Sequence, residues 1–345
     1  MKKFFGALIC LFVLNGCDDG ELTFDTFDFS EVQASNCQNN NLIYKVNGNE
    51  ALVIQINSTS ANDVFPFRNV LGTKIIPVNS QNKIFYRTFS SDVSGSSYFC
   101  STIPPVSPTV TSEYSTQDVS NGTIEITTTL TPGATTLANA GYNHTIIFRN
   151  ITFANPGGGT IVYDELVFGS YRTPSQVEFG FTSLPVRICT GVDGKYFKLI
   201  DSNVANSNVS ENLNKVLEIN IPTSLLPTAN TEVRRVFINQ TPEVTAVYRI
   251  YSGDISTADY CAEAPSLVKY EEWNANTGID ADQDVDDAGY FLISASNDPD
   301  NPGELLYSVT LKRFSFTRSF PSDGSGNAAT FTNTADINFG QISLP

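Results

Sequence analysis

Charge is scarce in this chain, and some side chains are scarcer still. Only 16% of its 345 residues are Asp, Glu, Lys or Arg, and it holds one His, one Met and one Trp. A Ser-His-Asp triad needs a histidine base, and His144 alone could serve. No Gly-x-Ser-x-Gly elbow accompanies it, so a structural role is expected for His144 at the start of its strand. No apolar run approaches the roughly 20 residues a membrane-spanning helix needs. No Cys-x-x-Cys pair offers the spacing of a zinc site, and no long stretch keeps a helical hydrophobic period. Basic side chains are outnumbered, 20 against 36 acidic. Such a surface repels phosphate backbones, which excludes nucleic acid as a partner and keeps an exposed protein soluble.

What the chain does have is strand-forming material. Phe (24), Tyr (14) and abundant Thr, Val and Ile suit a pleated surface, and Gly (23), Pro (17), Asn and Ser punctuate them as turns. The length suits two domains of roughly 150 residues. One stretch occurs twice. Tyr86-Arg87-Thr88-Phe89-Ser90-Ser91-Asp92-Val93-Ser94 runs on to Cys100, and Tyr248-Arg249-Ile250-Tyr251-Ser252-Gly253-Asp254-Ile255-Ser256 runs on to Cys261.

Other blocks repeat in the same order. Phe27-Asp28-Phe29 precedes Cys37 as Phe179-Gly180-Phe181 precedes Cys189. Ala51-Leu52-Val53-Ile54 matches Val216-Leu217-Glu218-Ile219, and Gly122–Thr127 matches Gly289–Ser294. Thr145–Phe153 matches Ser308–Phe316, and Phe168-Gly169 matches Phe339-Gly340. Each block is a short β-branched and aromatic run bounded by turn residues. The expected fold is therefore all-β: two tandem, internally duplicated immunoglobulin-like β-sandwich domains, with a barrel as the alternative. Residues 27–172 form the first repeat and 173–345 the second. In Ile146/Phe148 then Ile151/Phe153, and in Val309/Leu311 then Phe314/Phe316, the alternation changes phase. A strict period of two would put these groups on opposite faces. A bulge, or a strand bending between sheets, is expected near Arg149 and Lys312.

The N-terminus reads as an address. Lys2-Lys3 precedes the apolar run Phe4–Leu14, followed by Leu14-Asn15-Gly16-Cys17. That tetrad resembles a bacterial lipobox, although Asn15 is a less usual member; an ordinary secretory signal with a chance cysteine is the alternative. The resemblance implies a signal peptide over 1–16 and Cys17 as the lipidated mature N-terminus, an anchor to membrane. Loss of Lys2 and Lys3 would take the net charge from −16 to −18. Asp18-Asp19-Gly20-Glu21 follows, within an acidic tether spanning 17–26. It is similar to the export signal of Bacteroidetes-type surface lipoproteins; a plain solvated tether is the alternative. By this resemblance the chain is a lipid-anchored outer-membrane protein exposed at the cell surface. It resembles the tandem-domain lipoproteins of such bacteria, a comparison that carries no activity.

With Cys10 in the signal and Cys17 lipidated, Cys37, Cys100, Cys189 and Cys261 remain. The duplication selects the pairing Cys37–Cys100 and Cys189–Cys261, because each copy then carries an equivalent bridge.

Three further features are candidates for chemistry. Arg87 and Arg249 could clamp a ligand carboxylate, or form structural ion pairs or turns with Asp92 and Asp254. Being present in both copies favours the structural role. Asp280, Asp282, Asp284 and Asp286 alternate in a connection longer than its counterpart, a pattern that can converge on Ca2+. The segment departs from an EF-hand loop, with Val285 where a glycine is wanted, so a solvated acidic loop is the alternative. Trp273, with Tyr114 as its counterpart, could stack a sugar if exposed, or fill the core or a domain interface if not. No cofactor is required beyond that Ca2+. The expected function is a non-enzymatic binding or adhesion module for a glycan or protein. A structural subunit of an envelope complex and a carboxylate-dependent glycan hydrolase are the alternatives.

Overall fold

The computed structural model describes residues 27–37, 42–56, 71–116, 122–132, 134, 136, 139–175, 177, 181, 184–200, 214–238, 244–251, 255–262, 267–276, 289–322, 324, 326, 328–332 and 335–344. Cys17, the acidic tether and the aspartates Asp280, Asp282, Asp284 and Asp286 lie outside the described residues.

The described chain is nearly all β, and its strand pairings are antiparallel. The first half runs β1 (Ser35–Asn36), β2 (Leu42–Asn47), β3 (Glu50–Gln55), β4 (Gly72–Pro77) and β5 (Lys83–Phe89) into a short helix α1 (Gly95–Phe99). It continues through β6 (Val110–Thr116), β7 (Thr123–Leu130), β8 (Gly141–Ala154) and β9 (Thr160–Pro174). The second half repeats this order: β10 (Arg187–Ile188), β11 (Lys195–Ile200), β12 (Asn214–Asn220), β13 (Val233–Phe237), β14 (Thr245–Tyr251) and α2 (Thr257–Cys261). There follow β15 (Lys269–Asn276), β16 (Tyr290–Asn297), β17 (Leu305–Lys312), β18 (Ser315–Phe320), β19 (Thr330–Thr332) and β20 (Ile337–Ser343).

In the second half β10-β11-β12-β14-β15-β18-β19 forms one sheet and β13-β16-β17-β20 another. The first half has the same layers, but β8 and β9 run unbroken through both, so its nine strands link into one sheet. The phase change in the sequence marks this crossing. β8 pairs with β7 up to Arg149 and with β6 from Phe153. Between them Asn150 takes φ 51°, and Arg313, between β17 and β18, takes φ 57°. Each is a single left-handed residue that turns the chain from one layer to the other.

Each half buries its own core between the layers. Ile43, Leu52, Ile54, Ile84 and Tyr86 of one layer meet Ile76, Ile124, Ile126, Ile146 and Phe168 of the other. Tyr196, Leu217, Ile219, Tyr248 and Trp273 meet Val236, Phe291, Ile293, Val309 and Phe339 in the second half. The first layer is apolar on its outer side too. Tyr44, Ala51, Val53 and Phe89 pack there beneath Phe99 of α1 and Cys37, and Phe197, Leu199, Val216 and Tyr251 pack beneath Tyr260 of α2 and Cys189. The bridges Cys37–Cys100 and Cys189–Cys261, separated by 63 and 72 residues, hold these covers down. Closing loops of that length contributes about 4 kcal/mol each in the chain-entropy account.

A buried lysine ties each core to its last strand. Lys45 Nζ donates to the Phe29 carbonyl and Lys198 Nζ to the Phe181 carbonyl, both at 2.9 Å. The ammoniums stand over the rings of Phe168 and Phe339, 5.3 and 5.6 Å from their centroids. Both rings are brought there by β-bulges, where the register shifts opposite Ile146/Ile147 and Val309/Thr310. The next residues, Gly169 and Gly340, take φ 107° and 111°, and a Cβ would lie 2.8 and 3.2 Å from the lysine nitrogens. The repeated Phe-x-Phe and Phe-Gly pairs are thus two ends of one clamp.

Burial lowers the Lys198 pKa to about 8. The unfolded lysine keeps its proton to about pH 10.4, so Lys198 makes stability rise with pH between those values and lowers it most below pH 8. Thermal melts from pH 7.5 to 9.5 should therefore show a smaller upward drift in Lys198→Met than in the wild-type chain. Equal slopes would mean the ammonium is not desolvated.

Candidate functional site

The outer cover of the second repeat is not apolar throughout. Lys195 of β11, Glu218 of β12, Arg249 of β14, and Lys269 and Glu272 of β15 lie across four neighbouring strands and form a chain of alternating charge. Lys195 Nζ is 3.4 Å from Glu218 Oε2, which is 3.2 Å from Arg249 Nη1. Arg249 Nε donates to Glu272 Oε2 at 2.7 Å, and Lys269 Nζ lies 3.1 Å from that oxygen. Tyr260 of α2 joins from above: its hydroxyl donates to Glu218 Oε2 at 2.7 Å and accepts from Arg249 Nη1 at 2.6 Å. These residues, with Tyr251, Ala262 and Leu267, line a depression of about 390 Å³.

Local sequence places Tyr260. Ser256 caps α2: its hydroxyl oxygen accepts from the Asp259 amide at 3.1 Å and its own amide donates to the Asp259 carboxylate at 3.3 Å, a reciprocal capping box. The disulfide at Cys261 fixes the other end of the helix.

The electrostatics are those of a site held charged. Burial alone would raise the Glu272 carboxyl, but hydrogen bonds and charge from Arg249 and Lys269 outweigh it and hold it below the usual range. Burial pushes the Tyr260 phenol well up, against the opposing charge of Arg249. Arg249 stays protonated, because its anionic neighbours outweigh its own desolvation.

The first repeat supplies an internal control. Strand register equates Arg87 with Arg249 and Glu113 with Glu272, and the ion pair is kept, with Arg87 Nε 2.6 Å from Glu113 Oε2. The rest is not kept. Lys195 corresponds to Leu42, Glu218 to Val53, Tyr251 to Phe89, Tyr260 to Phe99 and Lys269 to Val110. Where the first repeat has an apolar cover, the second has five polar or charged side chains.

No protein family, curated protein or solved structure matches this chain.

The sequence-derived candidates fall as follows. Cys37, Cys100, Cys189 and Cys261 form the two expected bridges. Arg87 and Arg249 pair with glutamates on the next strand; Asp92 is exposed, and Asp254 lies outside the described residues. His144 is buried between the hydroxyls of Thr128 and Thr173, 2.9 and 2.8 Å away, and burial lowers its pKa to about 4, which fits a structural role.

The sugar platform at Trp273 is corrected. The residue is 0% exposed, so no ligand can reach its faces. Its side chain points into the core because it pairs with Tyr248 on the inner side of β15, and its Nε1 donates to the buried Glu271 carboxylate at 2.8 Å. The same carboxylate accepts from Ser175 Oγ, just beyond β9, at 2.7 Å, and Ala140 of the first half packs in the second core. Trp273 therefore lies at the junction of the two halves. Tyr114, its register counterpart, is half-buried beside Tyr86 on the inner side of β6. The exposed aromatic of this region is Phe320, opposite Glu272 in β18. Among the described residues no group of three or more His, Cys, Asp or Glu side chains is placed to hold a metal.

Arg249 neutralises two carboxylates, whereas Arg87 neutralises one that is more exposed. Arg249→Met should cost about 2–4 kcal/mol near pH 7, and Arg87→Met under about 1 kcal/mol. The Arg249→Met loss should shrink below about pH 4, as Glu272, held below the usual carboxylate range, takes up its proton. Urea unfolding at pH 7 and pH 3 measures both. Equal losses in the two variants would show that Arg249 is no more than a strand-pairing residue.

Proposed function

We propose that this chain is a lipid-anchored cell-surface binding module, built as two immunoglobulin-like sandwiches, whose second repeat captures a glycan or protein ligand without transforming it. Cys17 anchors the chain to the outer membrane after removal of 1–16, and the acidic tether 17–26 carries it to the outer face. The observation that carries the binding reading is the divergence between repeats. A frame used twice keeps its disulfide, helix and Arg–Glu pair, while the cover that is apolar in the first copy carries donors and acceptors around a depression in the second. A depression of about 390 Å³ falls within the size range of small-ligand sites. Binding is favoured over glycoside hydrolysis because a hydrolase holds one carboxyl protonated. Neither glutamate here has the surroundings of such an acid: Glu272 contacts Arg249 and Lys269, and Glu218 contacts Lys195 and Arg249.

The test rewrites the second repeat in the side chains of the first: Lys195→Leu, Glu218→Val, Tyr260→Phe and Lys269→Val together. The first repeat folds with those residues, so the variant should keep its melting temperature within a few degrees. On a glycan and surface-protein array the full chain in detergent should be retained and the variant should not. Equal retention would remove the site from the account. Protease treatment of intact cells should digest the protein before lysis, and protection until lysis would contradict the surface location.

A further inference from the structure

The charges and the exposed aromatic at this depression narrow the class of ligand, given the binding reading above. The chain carries a net charge of −16, yet the five ionised side chains here, Lys195, Glu218, Arg249, Glu272 and Lys269, sum to one positive charge. Cations occupy both ends. Arg249 is committed between two glutamates and Tyr260. An ammonium has three donors. Lys195 meets Glu218 and the Tyr260 ring, and Lys269 meets Glu272 and the Phe320 ring, with side chains 26% and 33% exposed. Both therefore keep donor capacity toward solvent.

The two ends differ. Lys195 lies over the buried ring of Tyr260. Lys269 lies 5.0 Å from the centroid of Phe320, which is 40% exposed. Phe320 sits directly opposite Glu272 in the strand ladder, so it shares the outer face with the cluster. An exposed aromatic, a cation with free donors and a carboxylate therefore meet at one rim. Between the ends the depression offers acceptors as well as donors. The three Glu218 contacts, to Lys195, Arg249 and Tyr260, all use Oε2, so Oε1 retains acceptor capacity.

We infer that the depression takes an acidic sugar, a carboxylated pyranose unit of a uronate-type glycan. Its carboxylate sits on Lys269, its apolar ring face against Phe320, and its hydroxyls donate to Glu218 and Glu272. A dianionic phosphate or sulfate fits worse, because two glutamates line the same space. A purely apolar ligand would leave five charges desolvated and without new partners. Sugar hydroxyls both donate and accept, which matches a lining that mixes ammonium, carboxylate and phenol groups.

The experiment is titration calorimetry on the full chain in detergent, with oligogalacturonate, neutral dextran oligosaccharides, polyglutamate and inorganic phosphate as probes. Oligogalacturonate should bind saturably and at least tenfold tighter than dextran, and binding should weaken as salt rises. Lys269→Met and Phe320→Ser should each lose at least tenfold, while Lys83→Met in the first repeat should match the wild type. Failure of oligogalacturonate to bind, or binding unaffected by Lys269→Met, would overturn the inference. Polyglutamate binding as tightly would assign the site to acidic peptides, and phosphate competing as well would reduce it to a general anion site. Dextran bound as tightly, and lost in the four-residue rewrite, would leave the binding site standing and overturn only its preference for an acidic sugar. Retention of glycan binding by the rewrite would overturn both.

Discussion

Strands β2, β3, β11 and β12 carry apolar side chains on both faces, so in each half one layer of sheet needs covering twice. The inner face is covered by the second layer. The outer face has only a single turn of helix, far too short to stay folded or docked on its own. The disulfide makes that third layer possible: it ties the end of α1 or α2 to the residue beside β1 or β10, so that one aromatic, Phe99 or Tyr260, stays seated on the sheet. Everything on the outer face follows from this arrangement, including the depression at the edge of the second cover.

The buried lysines answer a different need. A chain that passes between layers must fix where its first and last segments lie. Lys45 and Lys198 do this by reaching from the middle of a strand to the carbonyl of the N-terminal Phe-x-Phe segment while lying over the bulged aromatic of the final strand. The glycines after the bulges are required by their positive φ and by the closeness of the ammonium. Because the clamp occurs in both copies, it belongs to the frame. The Arg–Glu pair between neighbouring strands belongs there too. In the second repeat that pair is part of a network with Lys195, Glu218, Tyr260 and Lys269, at positions where the first repeat has apolar side chains.

Much of the frame could be read from the chain. The duplication, the pairing of cysteines and the crossing near Arg149 and Lys312 follow from repeated blocks, from equivalence between copies and from the change of hydrophobic phase. The site was harder to see. Glu218 sits in an otherwise apolar block beside Val53, which signals divergence, but Lys195 and Lys269 lie outside the aligned stretches and gather only when four strands are placed side by side. Arg249 has an aspartate five residues on, which draws attention from its real partner on the next strand. For Trp273, the single Trp beside a long acidic connection, the sequence offers both an open platform and a core or interface position, and the structure has the second. Its place on the inner side of β15 depends on pairing with Tyr248, which spacing alone does not give. Phe320 attracted no notice because one aromatic at a strand end is common in a chain rich in Phe.

The central claim is that one frame is used twice and that only the second copy's outer face has become a site. A crystal structure of the chain grown with a uronate oligosaccharide tests it most directly. The account predicts sugar density beside Lys269 and Phe320, with contacts to Glu218 and Glu272, and none over Leu42, Val53 and Val110 of the first repeat. Density over both covers, or only at a place away from them, would contradict it.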